Sequence, residues 1–101
     1  MRILNIEIDH KRIAEIAATF MVQELALFGS VLSSDFKADS DIDILVLFKK
    51  GAALSYFDLC DLQEELEKLF NRKIDLVEKE SLINPYRHTE ILKSTRRIYA
   101  A

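Results

Sequence analysis

The segment that most constrains the fold is residues 41–48, with the sequence DIDILVLF. Apart from two aspartates it is continuously apolar and rich in β-branched residues. Such a run predicts a central β-strand that is covered on both faces. Lys49, Lys50 and Gly51 mark its end, because charged residues followed by glycine are typical of a turn.

The remaining segments predict helices and strands that alternate along the chain. We expect a first helix over about residues 10–20, N-capped by Asp9, and a strand over residues 23–28 that stops at Gly29. Residues 30–40 have room for a short helix. The later elements are a helix over about 55–70, a strand over 73–79, a last helix over about 85–94 and a short RIY tail. This order predicts an α/β (α+β) fold in which helices flank a small mixed β-sheet.

The apolar positions of the predicted helices indicate which faces form the core. In the helix near residue 60, an apolar stripe recurs at helical spacing, with charged residues on the other side. The stripe comprises Leu59, Leu62, Leu66 and Leu69, and the water-facing residues are Glu64, Glu65, Glu67 and Lys68. Cys60 lies within this apolar pattern and is predicted to be a small buried residue. In the first helix we expect Ile13, Ile16, Ala17 and Phe20 to share one buried face.

Length and composition indicate one globular domain that spans residues 1–101. Half of the residues are hydrophobic and 31% are charged, which excludes a disordered or fibrous chain. No apolar run is long enough to cross a bilayer, and the first residues lack the apolar stretch of a signal peptide. We therefore expect a cytoplasmic protein without a membrane partner. A formal charge of −3 also argues against nucleic acid as a direct ligand.

Asp41 and Asp43 alternate with isoleucines at the start of the central strand. In a strand both carboxylates would therefore lie on one face, with their Cα atoms about 6.5–7 Å apart. Like charges in a poorly hydrated place repel, and a divalent cation relieves that repulsion. Magnesium prefers carboxylate oxygens and is often held by one or two carboxylates and the phosphates of a substrate.

Asp75 lies in the next predicted strand, again as a single acid among apolar residues. If the two strands are neighbours, three carboxylates converge. A cluster of that kind suits phosphoryl or nucleotidyl transfer, in which two metal ions stabilise the attacking and leaving oxygens.

Gly29 and Ser30 lie where the preceding strand turns. Glycine at such a turn lets the backbone approach a phosphate, and backbone N–H groups can then bind it. A Gly-Ser pair alone is most often an ordinary turn. Together with the aspartates at this spacing it is a much more specific pattern.

Gly29-Ser30, ten further residues and then Asp41-Ile42-Asp43 resemble the signature of the polymerase-β-like nucleotidyltransferase superfamily. The short chain resembles in particular the minimal nucleotidyltransferases, which act as antitoxins beside toxins of the HEPN ribonuclease family. The resemblance covers nearly the whole chain and implies the polymerase-β-like nucleotidyltransferase fold.

The resemblance also implies roles for the five residues. Asp41 and Asp43 would bind two Mg²⁺ ions, Gly29 and Ser30 would hold the triphosphate, and Asp75 would be a metal ligand and the general base. The implied reaction transfers AMP from ATP to a hydroxyl, in particular a tyrosine of a cognate HEPN toxin. A hetero-oligomer with that toxin is left open.

The sequence departs from this family at the residues that follow Ser30. Members usually have basic residues there, whereas this chain has Val31, Leu32, Ser33 and Ser34. Lys37 could supply a charge or could simply be solvated. Two alternatives therefore stay open: an antitoxin that neutralises its toxin by contact alone, and a transferase that modifies a small molecule.

Overall fold

The computed structural model describes residues 2–3, 6–32, 41–79 and 95–101. Two short strands, β1 (Arg2–Ile3) and β2 (Ile6–Glu7), pair with each other and precede α1 (His10–Thr19). Then follow β3 (Val22–Phe28), a 3-10 helix (Gly29–Leu32), β4 (Ile42–Phe48), α2 (Tyr56–Phe70), β5 (Ile74–Glu78) and β6 (Arg96–Ala100). The predicted helices and strands within the described residues are present, with ends that differ by one or two residues. The predicted helix over residues 85–94 lies outside the described residues.

Strands β5, β4, β3 and β6 form one sheet in that order. β4 is parallel to β5, whereas β3 is antiparallel to both β4 and β6. The mixed sheet and the central position of β4 confirm the predictions. The RIY tail, however, is not a tail: residues 96–100 form the edge strand β6, which pairs with β3.

The helices cover one face of the sheet, which we call the helix face. Alternate residues of the strands point to this face and pack with the apolar sides of α1 and α2 in one core. The core comprises Ile8, Ile13, Ile16, Ala17, Val22, Leu25, Leu27, Ile42, Ile44, Val46, Leu62, Leu66, Ile74 and Ile98. A smaller cluster of Ala26, Phe28 and Leu45 is buried on the opposite face.

Local hydrogen bonds fix the ends of the helices. The Asp9 carboxylate accepts a hydrogen bond of 3.2 Å from the Arg12 backbone N–H, which confirms the predicted cap of α1. Ser55 and Asp58 form a reciprocal capping box at the start of α2. α2 ends at Phe70 and is capped by Asn71, whose φ of 53° is left-handed.

Two predictions for α2 are wrong. Cys60 is exposed rather than buried, because it is two positions before the buried Leu62 and therefore lies on another side of the helix. Glu67 does not simply face water: its carboxylate accepts a hydrogen bond of 3.1 Å from the Ile74 backbone N–H. No helix within the described residues is long and apolar enough to span a bilayer.

Candidate active site

Asp43 and Asp75 lie side by side on neighbouring parallel strands. The register pairs Ile42 with Ile74 and Asp43 with Asp75. The two isoleucines are buried on the helix face, so both aspartates lie on the opposite face. We call this the carboxylate face. Two acids that are 32 positions apart in the sequence numbering (75 − 43) thus become direct neighbours.

The turn between α2 and β5 sets this register. Arg72 N–H donates to the Glu67 carbonyl over 3.3 Å, and Ile74 N–H donates to the Glu67 side chain. The Lys73 carbonyl in turn accepts a hydrogen bond of 2.9 Å from Ile42 N–H. These bonds join the end of α2 to the start of β4, and so they place Asp75 beside Asp43.

Gly29 lies against the Asp43 side chain at the end of β3. Its φ is +75°, a conformation that L side chains rarely adopt. A Cβ atom at this position would overlap Asp43 Oδ2 and would lie 3.3 Å from its Cγ. The close contact follows from the register, because Phe28 pairs with Asp43. Only glycine fits here while the carboxylate keeps its place.

The carboxylate of Asp43 is held in an environment that disfavours its charge. Burial raises its pKa above the ordinary value of 3.8, and the negative charges of Asp75 and Asp41 raise the pKa further. The Asp43 side chain is half-buried, whereas Asp41 and Asp75 are exposed. The three acids therefore interact electrostatically at one end of the carboxylate face, and a cation would relieve the repulsion.

The chemistry of these donors fits Mg²⁺ bound together with a nucleotide. Among the described residues, no three Asp, Glu, His or Cys side chains form a complete metal-binding cluster. Magnesium does not need one, because it keeps several waters and takes further oxygens from substrate phosphates. Open carboxylates beside solvent, with raised pKa at Asp43, are suited to that mode of binding.

The residues after Gly29 provide part of the predicted site. The backbone of Ser30 lies in the 3-10 helix, but its side chain lies outside what the structure describes, as does Lys37. Leu32, at the end of this short helix, packs against the core. The sequence assigned Gly29 to phosphate binding. It contained no sign that the same glycine makes room for Asp43, since that contact depends on the β3–β4 register.

Comparison with known proteins identifies the family. The family model of the nucleotidyltransferase domain matches residues 10–98. Protein adenylyltransferase MntA of Thermococcus cleftensis is 42% identical over 73 residues, which are 72% of this chain and 70% of that protein. The chain therefore belongs to the nucleotidyltransferase domain family, and the predicted resemblance is confirmed.

Solved structures show the same fold. A crystal structure of a toxin–antitoxin with AMP-PNP matches with a TM-score of 0.71 at 21% identity, over 92% of this chain and 74% of that chain. The complex of a tri-AMPylated HEPN toxin with its MNT antitoxin from Shewanella oneidensis matches with a TM-score of 0.62 at 20% identity, over 91% and 70%. The fold is that of the minimal nucleotidyltransferases, as the sequence predicts.

Proposed function

We propose that this chain is a magnesium-dependent nucleotidyltransferase that transfers AMP from ATP to a tyrosine hydroxyl of a HEPN-family toxin, and so acts as its antitoxin. The observation that carries the proposal is the pairing of Asp43 with Asp75, with the charge of Asp41 nearby. Membership of the nucleotidyltransferase family supports the reaction class. The named activity of MntA and the AMPylated toxin in a structural neighbour support the acceptor class.

In this proposal each site residue has a distinct role. Asp41 and Asp43 hold two Mg²⁺ ions, and Asp75 contributes a further oxygen ligand and acts as the general base. Gly29 and Ser30 lie along the triphosphate, where backbone N–H groups bind phosphate oxygens. When bound, Mg²⁺ supplies positive charge that stabilises the negative charge developing on the phosphate oxygens.

The proposed transfer is a single in-line displacement. The tyrosine oxygen forms a bond to the α-phosphorus of ATP, and the bond from that phosphorus to the oxygen bridging to the β-phosphate breaks. Asp75 takes the hydroxyl proton, and pyrophosphate leaves with the electron pair. The products are the AMP ester of the tyrosine and pyrophosphate.

The test is intact-mass analysis of a purified cognate HEPN toxin after incubation with this chain, ATP and Mg²⁺. We expect the toxin to gain the mass of one or more AMP units. Replacement of Asp41 and Asp43 by asparagine removes the charge that organises the metal ions, so transfer should fall by about a thousandfold or more. Asp61→Asn is the matched control, because it removes one carboxylate from the exposed surface of α2 and should leave transfer unchanged. Absence of any adduct with the wild-type chain would refute the catalytic proposal.

A second candidate is an antitoxin that acts by contact alone. The observation in its favour is the sequence GSVL of the 3-10 helix, which has no basic residue directly after Gly29 and Ser30 to contact phosphate. This candidate predicts that the Asp41→Asn/Asp43→Asn variant neutralises the toxin as well as the wild type does. The catalytic proposal predicts that the double variant loses neutralisation together with the mass addition.

A further inference from the structure

Positive charge from the protein would add to that of the proposed Mg²⁺ ions at the nucleotide site, because ATP brings several negative charges to a place that already has three carboxylates. The 3-10 helix after Gly29 has no basic residue, since its sequence is GSVL. Its last residue, Leu32, packs against the core. Within the residues that the structure describes, a cation for the phosphates must therefore come from another element.

Lys73 lies next to the carboxylates in the sheet. Its carbonyl accepts the 2.9 Å hydrogen bond from Ile42 N–H, and the next residue, Ile74, pairs with Ile42. One step further back in this parallel register, Lys73 lies beside Asp41. Its position on the chain thus borders the site that Asp43 and Asp75 define.

Strand alternation, continued by one residue before the start of β5 at Ile74, places the Lys73 side chain on the carboxylate face. Ile74 is only 1% exposed and belongs to the core of the helix face. Because neighbouring residues in an extended chain point to opposite faces, Lys73 and Asp75 both leave the sheet on the other side. Lys73 is exposed, so its four-carbon stem can extend over the site.

The charge of Lys73 is available for a ligand. Among the described residues, ion pairs occupy other cations: Arg12 with Glu15, Lys68 with Glu65, and both Lys79 and Arg97 with Glu24. Lys73 is in no ion pair within the described part of the chain. It therefore loses no protein partner when it binds phosphate.

We infer that the Lys73 ammonium binds the β- and γ-phosphates of the nucleoside triphosphate and takes the place of a cation missing after Ser30. The inference rests on the proposed function, because it assumes that the nucleotide lies against the aspartates. A lysine in this role binds phosphate as a point charge through a charge-assisted hydrogen bond. It is a positioning residue for the leaving pyrophosphate and has no part in the proton transfer.

The test compares the dissociation constants of ATP and AMP, measured by calorimetry with Mg²⁺ present, for the wild type and four variants: Lys73→Ala, Lys73→Arg, Lys68→Ala and Asp43→Asn. Lys73→Ala should weaken ATP binding about tenfold and AMP binding less than about twofold. Lys73→Arg retains the charge and should bind ATP nearly as the wild type does. Lys68→Ala is the matched control, since it removes the same charge from α2, where the ammonium lies 3.7 Å from Glu65.

The outcomes separate this inference from the proposed function. If the wild type binds ATP, Asp43→Asn abolishes binding and Lys73→Ala does not weaken it, the inference about Lys73 is overturned while the nucleotide site stands. Equal weakening of ATP and AMP by Lys73→Ala would also overturn it, because that result indicates a structural effect on the turn before β5. If the wild type does not bind ATP at all, the proposed function and the inference both fail.

Discussion

The two faces of the sheet are made by the same strands but differ in the side chains they carry: apolar on one face and in part acidic on the other. On the helix face, Ile42, Ile44 and Ile74 are almost completely buried in one apolar core. On the carboxylate face, Asp43 and Asp75 are paired neighbours whose negative charges repel each other. Burial on one face stabilises the fold, and that stability offsets the electrostatic repulsion on the other.

The carboxylate face itself is divided along the strands. At one end lie the three aspartates, where no acid has a basic partner within the described residues. At the other end Glu24 is paired with Arg97 at 3.5 Å and with Lys79 at 4.0 Å. Paired charges have their partners already, whereas the repulsion among unpaired charges of one sign would be relieved by a bound cation. This contrast explains why the site is expected at the aspartate end.

The largest effect on stability should follow from a change on the helix face. Ile44 is 0% exposed, so Ile44→Ala should lower the free energy of unfolding by about 2–5 kcal/mol. Leu47→Ala on the carboxylate face is the control, and it should cost less than half as much because that side chain is only partly buried. Urea unfolding of both variants measures the difference. Equal losses of stability would show that the two faces do not differ in this way. If Ile44→Ala does not fold, Ile44→Val replaces it, with an expected loss of about 0.5–1.5 kcal/mol in the free energy of unfolding.

An intermediate effect on the free energy of unfolding is expected from Gly29→Ala, directly after the end of β3. Gly29 and Gly51 both have positive φ, at +75° and +84°, so alanine should strain the backbone at either position by about 1–2 kcal/mol. Only at Gly29 would the new Cβ also overlap a side chain, that of Asp43, whereas nothing lies within 4 Å at Gly51. Gly29→Ala should therefore cost more than Gly51→Ala.

A double-mutant cycle isolates the steric part of this cost. In an Asp43→Ala background the overlap is gone, and Gly29→Ala should then cost about as much as Gly51→Ala. Thermal unfolding of the four proteins gives the coupling energy. A Gly29→Ala penalty that is unchanged by Asp43→Ala would mean that backbone strain alone requires this glycine.

The smallest effect concerns the metal-free protein and pH. The folded-state pKa of Asp43 is raised. Ionisation of Asp43 therefore lowers the free energy of unfolding, and this effect is complete at pH values above the raised pKa. Asp43→Asn should therefore raise the free energy of unfolding at neutral pH in the presence of a chelator. The gain should shrink as the pH falls through the raised pKa and vanish below 3.8, where the wild-type carboxyl is protonated in both states.

Urea unfolding across this pH range, with Asp61→Asn as the control for loss of an exposed carboxylate, measures the effect. A gain that stays constant down to acid pH would show that the carboxyl charge is not its cause. A loss of stability at neutral pH would mean that Asp43 makes favourable contacts that outweigh the repulsion.

The sequence by itself determined the elements and their buried sides. Two periods carried that information: one of about 3.6 residues, which identified Ile13, Ile16 and Ala17 as the core side of α1, and one of two residues in DIDILVLF. The Gly-Ser and Asp-x-Asp spacing indicated the family, which the comparisons confirm. These features are local, so a single chain segment suffices to recognise them.

Only the tertiary structure decided which segments meet. The pairing of Asp43 with Asp75, the overlap that excludes a Cβ at Gly29 and the position of Lys73 beside Asp41 all depend on strand register. Residues 96–100, predicted as a tail, form strand β6 because their backbone pairs with the free edge of β3. Register is set by hydrogen bonds and packing between residues far apart in the chain, such as the bond from Ile42 N–H to the Lys73 carbonyl, and no local period specifies it.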